Sequence, residues 1–137
     1  MSKILVDTNV LIYSINKDSE FYIKSQKLLL NERNQFYTTS KNITEFLTVV
    51  TRNYKGLLSF EEVLECVNNF VSFIEVVFPN DKSFSLFKKL MRKYKITGLK
   101  LHDLEIASIS ISNNITDIAT FNEKDFNYLD EITLVKL

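Results

Sequence analysis

The run Ile4-Leu5-Val6 carries no polar break and stops abruptly at Asp7-Thr8-Asn9. Consecutive apolar residues without alternation suit a strand covered on both faces, the situation of a parallel sheet rather than a half-wet antiparallel one. Val10-Leu11-Ile12-Tyr13 then resumes the apolar run with helical character, so Asp7 falls between a strand and a helix. In open α/β sheets ligands gather at the carboxyl ends of the strands, and Asp7 belongs at such an end. Asp, Thr and Asn are equally ordinary helix caps, which at this point leaves Asp7 either a cap or a ligand.

The rest of the chain alternates strand and helix, which implies a parallel sheet with crossover helices. Residues 19–30 read as an amphipathic helix, and Phe36-Tyr37-Thr38 as a short strand. Thr39 or Ser40 caps a helix with Ile43, Phe46, Leu47 and Val50 on one face. Ser59 followed by Glu62 is a capping-box pattern opening a helix that runs to about Phe73. Glu75–Phe78 is β-branched and aromatic and is broken by Pro79-Asn80, so it reads as a third strand. Asp81 or Ser83 starts a helix that ends in a basic turn of Arg92, Lys93 and Lys95. Leu101-His102-Asp103 starts another, Asp117–Thr120 forms a fourth strand, and Thr133–Val135 a fifth.

With 137 residues and no repeat, linker or low-complexity segment, residues 1–137 read as one α/β domain with a real core. A single cysteine excludes an internal disulfide and fits a reducing compartment. Cys66 lies among Val63, Leu64, Val67 and Phe70 at helical spacing and reads as a small core residue. No apolar stretch approaches the ~20 residues that span a bilayer, and no signal peptide is visible. The expected location is cytoplasmic, with no membrane partner. Seventeen basic and seventeen acidic side chains balance, which argues against broad nucleic-acid affinity but leaves room for a basic rim around an acidic pocket. Two glycines and one proline exclude glycine-rich phosphate loops, and with them P-loop and dinucleotide-binding proteins.

Asp7 ends the first strand, Glu45 lies one turn into the helix after the second, and Asp103 begins the helix before the fourth. Asn122 and Asp125 follow that fourth strand. Each has a plain alternative: a solvated helix residue for Glu45, a cap for Asp103, a turn residue for Asp125. Together they are harder to dismiss, because the order of elements brings three of them to one edge of the sheet. Two carboxylates ~5 Å apart repel by about 3 kcal/mol at an effective dielectric of 20, so such a cluster needs protons or cations. Oxygen ligands without His or Cys suit Mg²⁺ or Mn²⁺, and those ions suit phosphodiester hydrolysis by water.

Four blocks carry a family resemblance: Ile4-Leu-Val-Asp7-Thr8-Asn9, Ser40-Lys-Asn-Ile-Thr-Glu45, Asp103-Leu-Glu-Ile-Ala107 and Ile118-Ala-Thr120-Phe-Asn122-Glu-Lys-Asp125-Phe126. In this order and spacing they resemble the PIN domain, and most nearly its VapC-type toxins of bacterial toxin–antitoxin pairs. The resemblance implies a PIN-like three-layer α/β/α sandwich around a mostly parallel sheet of about five strands. It implies a metal-dependent endoribonuclease in which Asp7, Glu45 and Asp103 hold Mg²⁺ or Mn²⁺, with an RNA substrate, a VapB-like antitoxin as partner and a homodimeric state. Thr8 and Asn9 match the polar residues beside the first acid, and Thr120 matches a hydroxyl that steadies the site. A fourth acid commonly follows that Thr by two residues. Here the position is Asn122, so an amide oxygen serves, Asp125 reaches the site, or a second metal binds weakly.

Four further features invite a role. His102 adjoins Asp103 but reads first as structural. Lys95 and Lys100, with Arg92 and Lys93, flank the approach to Asp103 and are candidate RNA contacts, although a charged run is usually a solvated face. Tyr13 and Phe46 are candidates for base stacking, with core packing the default. The helix from Phe60 to Phe73 has an apolar set too broad for one buried face, fitting either an antitoxin groove or core plus dimer surface. A covalent phosphoryl-transfer enzyme would want Asp-x-Asp after the first strand, where this chain has Asn9. The remaining alternative is a PIN-like module that has weakened in catalysis and binds RNA or protein.

Overall fold

The computed structural model describes residues 2–53 and 58–137. Strand β1 (Ser2–Val6) leads into helix α1 (Thr8–Ser14) and α2 (Tyr22–Leu29); β2 (Asn34–Thr39) leads into α3 (Ser40–Asn53) and α4 (Phe60–Val71). Next come β3 (Ile74–Val77), α5 (Asp81–Tyr94), α6 (Lys100–Ser112), β4 (Asp117–Ala119) and β5 (Thr133–Leu134), with a 3-10 turn at Glu123–Asp125. The strands lie in the order β3-β2-β1-β4-β5 and every neighbouring pair is parallel.

β1 is central and buried on both faces. Ile4 and Val6 enter a core with Val10 and Leu11 of α1, Phe46 and Val50 of α3, and Val63 and Phe70 of α4. Leu5 enters the opposite core with Leu90 of α5, Leu104, Ala107 and Ile109 of α6, and Phe126 and Leu129. The period-two alternation of strand side chains thus assigns each β1 residue to a helical layer, giving the three-layer sandwich. β2 divides likewise, with Phe36 in the first core and Tyr37 against the second.

The order of strands positions the site. The chain steps from β1 to β2 to β3 on one side, then returns to lay β4 against the other side of β1. The reversal leaves a crevice outside the carboxyl ends of β1 and β4, the point where open α/β sheets bind ligands. Asp7 follows the last residue of β1, and Thr120 the last residue of β4. Asp7 N–H still donates to Ala119 O at 3.0 Å, tying the two strand ends together.

Several boundaries differ from the sequence reading. The helix expected over residues 19–30 begins at Tyr22, because Ser19 forms a turn: its hydroxyl accepts from Phe21 N–H at 3.1 Å and its carbonyl from Tyr22 N–H. The cap of α5 is Asn80 rather than Asp81 or Ser83, with Ser83 completing a reciprocal capping box. Lys95 is not in the last turn of α5 but follows it in the left-handed conformation, φ 52°, as the C-terminal cap. α4 ends at Val71, two residues short of Phe73, and α6 begins at Lys100, one residue before Leu101. β2 begins two residues before the expected Phe36 and ends one after Thr38, and the shifts at β3, β4 and β5 are of a single residue.

Candidate functional site

Asp7 is both cap and site residue. Its backbone is extended, and its Oδ1 accepts from Thr8 N–H at 2.9 Å as the N-cap of α1. The same oxygen accepts from Asn42 Nδ2 at 3.1 Å, while Oδ2 accepts from Thr120 Oγ1 at 2.8 Å and Asn9 Nδ2 at 3.2 Å. Four donors therefore fix one carboxylate from α1, α3 and the end of β4. Each donor is itself held. Asn9 Nδ2 also donates to Thr120 Oγ1 at 3.0 Å, and Asn9 Oδ1 accepts from Phe121 N–H at 3.0 Å. Thr120 Oγ1 accepts a further bond from Asn122 N–H at 3.0 Å.

Asn42 is the residue that sequence reasoning missed. Its side-chain oxygen accepts from the Thr39 N–H at 3.2 Å and hydroxyl at 2.6 Å, and its own N–H donates to Thr39 Oγ1 at 3.1 Å. This is a capping box with Thr39 as cap and Asn42 three residues on, so the Thr39-x-x-Asn42 spacing was a usable signal. Locked by the cap, the Asn42 amide reaches both Asp7 and Thr8 Oγ1, the latter at 2.9 Å. Thr8 Oγ1 in turn donates to Glu45 Oε2 at 2.6 Å. The Asn42 amide thus donates one way to Asp7 and the other way to Thr8, which donates on to Glu45, linking the strand end to the rim of α3.

Burial pushes the Asp7 carboxyl up from 3.8 to about 6, despite its bonds to Thr120 and Thr8, and the charges of Glu45 and Asp125 add to the rise. Asp103, in the first turn of α6, is pushed up to about 7: burial first, then the charges of Asp125, Asp7 and Glu45, with Lys100 opposing. Asp7, Glu45, Asp103 and Asp125, all candidates from the sequence, lie within one another's fields, and Asp125, in the 3-10 turn, acts on both Asp7 and Asp103. Asn122 is exposed and its side chain caps nothing; it meets the site through its backbone N–H on Thr120.

The oxygen-only donor set and the elevated carboxyl groups fit a hard divalent cation, whose charge offsets repulsion that otherwise drives the acids to take up protons. Among the described residues no three His, Cys, Asp or Glu side chains are grouped closely enough to hold a metal ion by themselves. The acids act on one another through their charges without meeting at a point.

The flanking residues divide. Lys100 acts on Asp103, whereas Lys95 lines a separate groove with Lys88, Met91, Arg92, Ile96 and Thr97. His102 is exposed and shares a shallow groove with Glu45, Lys41, Thr48 and Arg52, between α3 and the start of α6. Phe46 is 0% exposed and packs edge-on against Phe70 with centroids 5.2 Å apart, so it is core and not a stacking platform. Tyr13 is half-buried in an aromatic trio with Phe21 and Phe121. Cys66 is half-buried among apolar residues, and burial pushes its thiol up, away from the reactive thiolate.

Residues 4–132 match the family model of the PIN domain, a span that includes every acid of the site. This chain belongs to the PIN-domain family. A curated relative, Ribonuclease VapC2 of Rickettsia felis, is 27% identical over 132 residues, covering 95% of this chain and 94% of the relative. Among solved structures, this PIN domain is similar to that of VapBC2 from Rickettsia felis bound to a DNA fragment from its promoter. The TM-score is 0.73 at 25% identity, over 97% of each chain. The fold is shared as well by Mycobacterium tuberculosis VapC20, described as a sarcin-ricin loop cleaving toxin, at TM-score 0.72 and 11% identity, over 91% of this chain and 94% of the other. DNA-bound VapBC from Salmonella typhimurium has the same fold at TM-score 0.69 and 22% identity over 98% of each chain. Among the described residues no helix is long and apolar enough to cross a membrane.

Proposed function

We propose that this PIN domain is an endoribonuclease that hydrolyses RNA phosphodiester bonds at Mg²⁺ or Mn²⁺ held by Asp7, Glu45 and Asp103, acting as the toxin of a toxin–antitoxin pair. The observation that carries this reading is the Asp7 carboxylate: buried at a strand end, gripped by four donors, and within the fields of Glu45 and Asp125. A group needed only to cap α1 would use the Thr8 N–H and gain nothing from three other acids nearby.

A bound divalent cation supplies an activated water and offsets charge on the phosphoryl group being cleaved. The chain's own residues do the rest. Asn42, Asn9 and Thr120 hold the Asp7 oxygens in fixed orientation, and Thr8 orients Glu45 through a 2.6 Å bond. Asp125 supplies the further negative charge that the Asn122 position lacks. Lys100 sets a positive charge beside Asp103, where an RNA backbone approaches, and the groove past His102 and Arg52 leads to Glu45.

Support for the toxin role comes from the VapC relative and the VapBC complexes of like fold. α4 offers a surface for an antitoxin segment: Val63 and Phe70 are buried, while Phe60 at 70%, Leu64 at 39% and Val71 at 45% exposure form an outward apolar stripe. Residues 1–137 act as one unit, a homodimer in the cytoplasm on this reading. The alternative, a binding module weakened in catalysis, is favoured by Asn122, whose side chain makes no bond in its turn.

Incubation of the purified chain with RNA in Mg²⁺ or Mn²⁺ separates the two. Cleavage is expected, abolished by excess EDTA and by Asp103→Asn. Cleavage that survives EDTA overturns the metal role, and RNA binding without cleavage in either metal establishes the module.

A further inference from the structure

Tyr128 lies three residues after the 3-10 turn, within the fields of Asp103 and Asp125. Its ring lies edge-on to Tyr94, with centroids 5.6 Å apart and planes at 80°, and Lys100 Nζ sits 4.4 Å from its centroid. The ring is half-buried, yet its phenolic oxygen is sealed from solvent and has no hydrogen-bond partner among the described residues. A buried hydroxyl without a partner is costly, and folds rarely keep one without a use. Burial pushes this phenol up, and Asp103 and Asp125 push it further, so the hydroxyl lies within their fields.

The surroundings of the acids are complementary. Asp7 has four donors of its own. The carboxylate of Asp103 accepts from no donor among the described residues, and Lys100, one helical turn before it, is turned over the Tyr128 ring. Lys100 and Asp103 lie one turn apart on the same side of α6 and Lys100 sits over the Tyr128 ring, so a donor lacking an acceptor lies within the field of an acceptor lacking a donor. Carboxylates that ligate a cation generally need such an outer donor to fix their orientation.

We propose that Tyr128 is a positioning residue of the acidic site: its hydroxyl donates to the Asp103 carboxylate when the acids hold a divalent cation, and its ring seats Lys100 beside that carboxylate. The inference rests on the metal-dependent reading above. Phe at this position keeps the ring and the Lys100 seat while removing the hydroxyl; Leu removes both.

Calorimetric titration of the RNA-free full chain with Mn²⁺ tests the proposal. Tyr128→Phe is expected to bind Mn²⁺ about tenfold more weakly, in line with the loss of an outer-sphere partner. Its kcat falls by a similar factor while KM for RNA holds, and its Tm stays level or rises because an unpaired buried oxygen is gone. Tyr128→Leu also raises KM, through loss of the Lys100 seat. The chain has six Tyr and no Trp, so Mn²⁺ binding to the wild type should red-shift the tyrosine absorption band, an effect missing from Tyr128→Phe. Should that variant not fold, the absence of any Mn²⁺-induced shift in the wild-type tyrosine band overturns the inference. Mn²⁺ affinity and kcat of Tyr128→Phe within about twofold of wild type overturn the inference, since outer-sphere loss costs more than that. A wild-type chain that binds no Mn²⁺ overturns the metal reading itself, a distinct failure.

Discussion

Thr120 Oγ1 donates to Asp7 Oδ2 at 2.8 Å across 113 residues of chain. The bond joins the ends of the two strands that flank the topological reversal, so the carboxylate is oriented by the fold and not by its own segment. Thr120 is also the acceptor for Asn9 and for the Asn122 N–H, so one hydroxyl completes three bonds.

Thr120→Val keeps the shape and removes that oxygen. It leaves the donors of Asn9 and Asn122 short of an acceptor, and a destabilisation of about 1–3 kcal/mol is expected in urea melts. The Asp7 carboxyl loses a bond that lowers its proton affinity, so the acidic limb of the cleavage profile should move to higher pH. An unmoved limb would show that Thr120 acts on stability alone.

Asn42→Ala removes the partner of the Thr39 cap and one donor to Asp7. Loss of a capping interaction costs roughly 0.5–2 kcal/mol. Cleavage should fall by more than that loss of folded protein explains, because Thr8 and Glu45 lose their orientation too. Activity normalised to the folded fraction, with Asn42→Ser for comparison, checks this.

The metal-free protein should lose stability as pH rises. Both acids have folded-state values, about 6 for Asp7 and about 7 for Asp103, above 3.8, so the native state binds more protons than the unfolded chain in between. Their contribution is fully present below pH 3.8 and is lost as pH passes 6 and then 7. At buried Asp7 the difference corresponds to on the order of 3 kcal/mol; half-exposed Asp103 contributes less because solvent screens it. Urea titrations in EDTA at pH 5 and pH 8 measure the slope, and Mn²⁺ should flatten it.

Asp103→Asn separates stability from catalysis. Its carboxylate has no hydrogen bond to lose among the described residues and is opposed by Asp125, Asp7 and Glu45. Its Tm in EDTA at pH 8 is expected to exceed that of wild type while cleavage disappears. A lower Tm would mean that repulsion at the site is smaller than its burial implies.

Much of this was legible in the chain. Ile4-Leu5-Val6 lacks alternation because both its faces are covered, and Ser59 with Glu62 forms the capping box its spacing implies. Asp7, Glu45 and Asp103 each had a plain alternative when read alone, and only their order along the chain pointed to one edge of the sheet. What escaped was side-chain direction. Phe46 and Tyr13 look alike as aromatic residues near the site, yet only the packing of α3 on α4 buries Phe46 entirely. Asn80 read as a strand breaker and proved to be the cap of α5.

The amino-acid sequence by itself determined the alternation of strands and helices, the parallel sheet and the family, because these follow from local periodicity and from short ordered blocks. The tertiary structure alone decided which polar groups meet. It aims four donors at Asp7, sets the charge of Asp125 within reach of Asp7 and Asp103, and buries the Tyr128 hydroxyl without a partner among the described residues. Burial and hydrogen-bond direction depend on groups more than a hundred residues apart, and local patterns do not carry them.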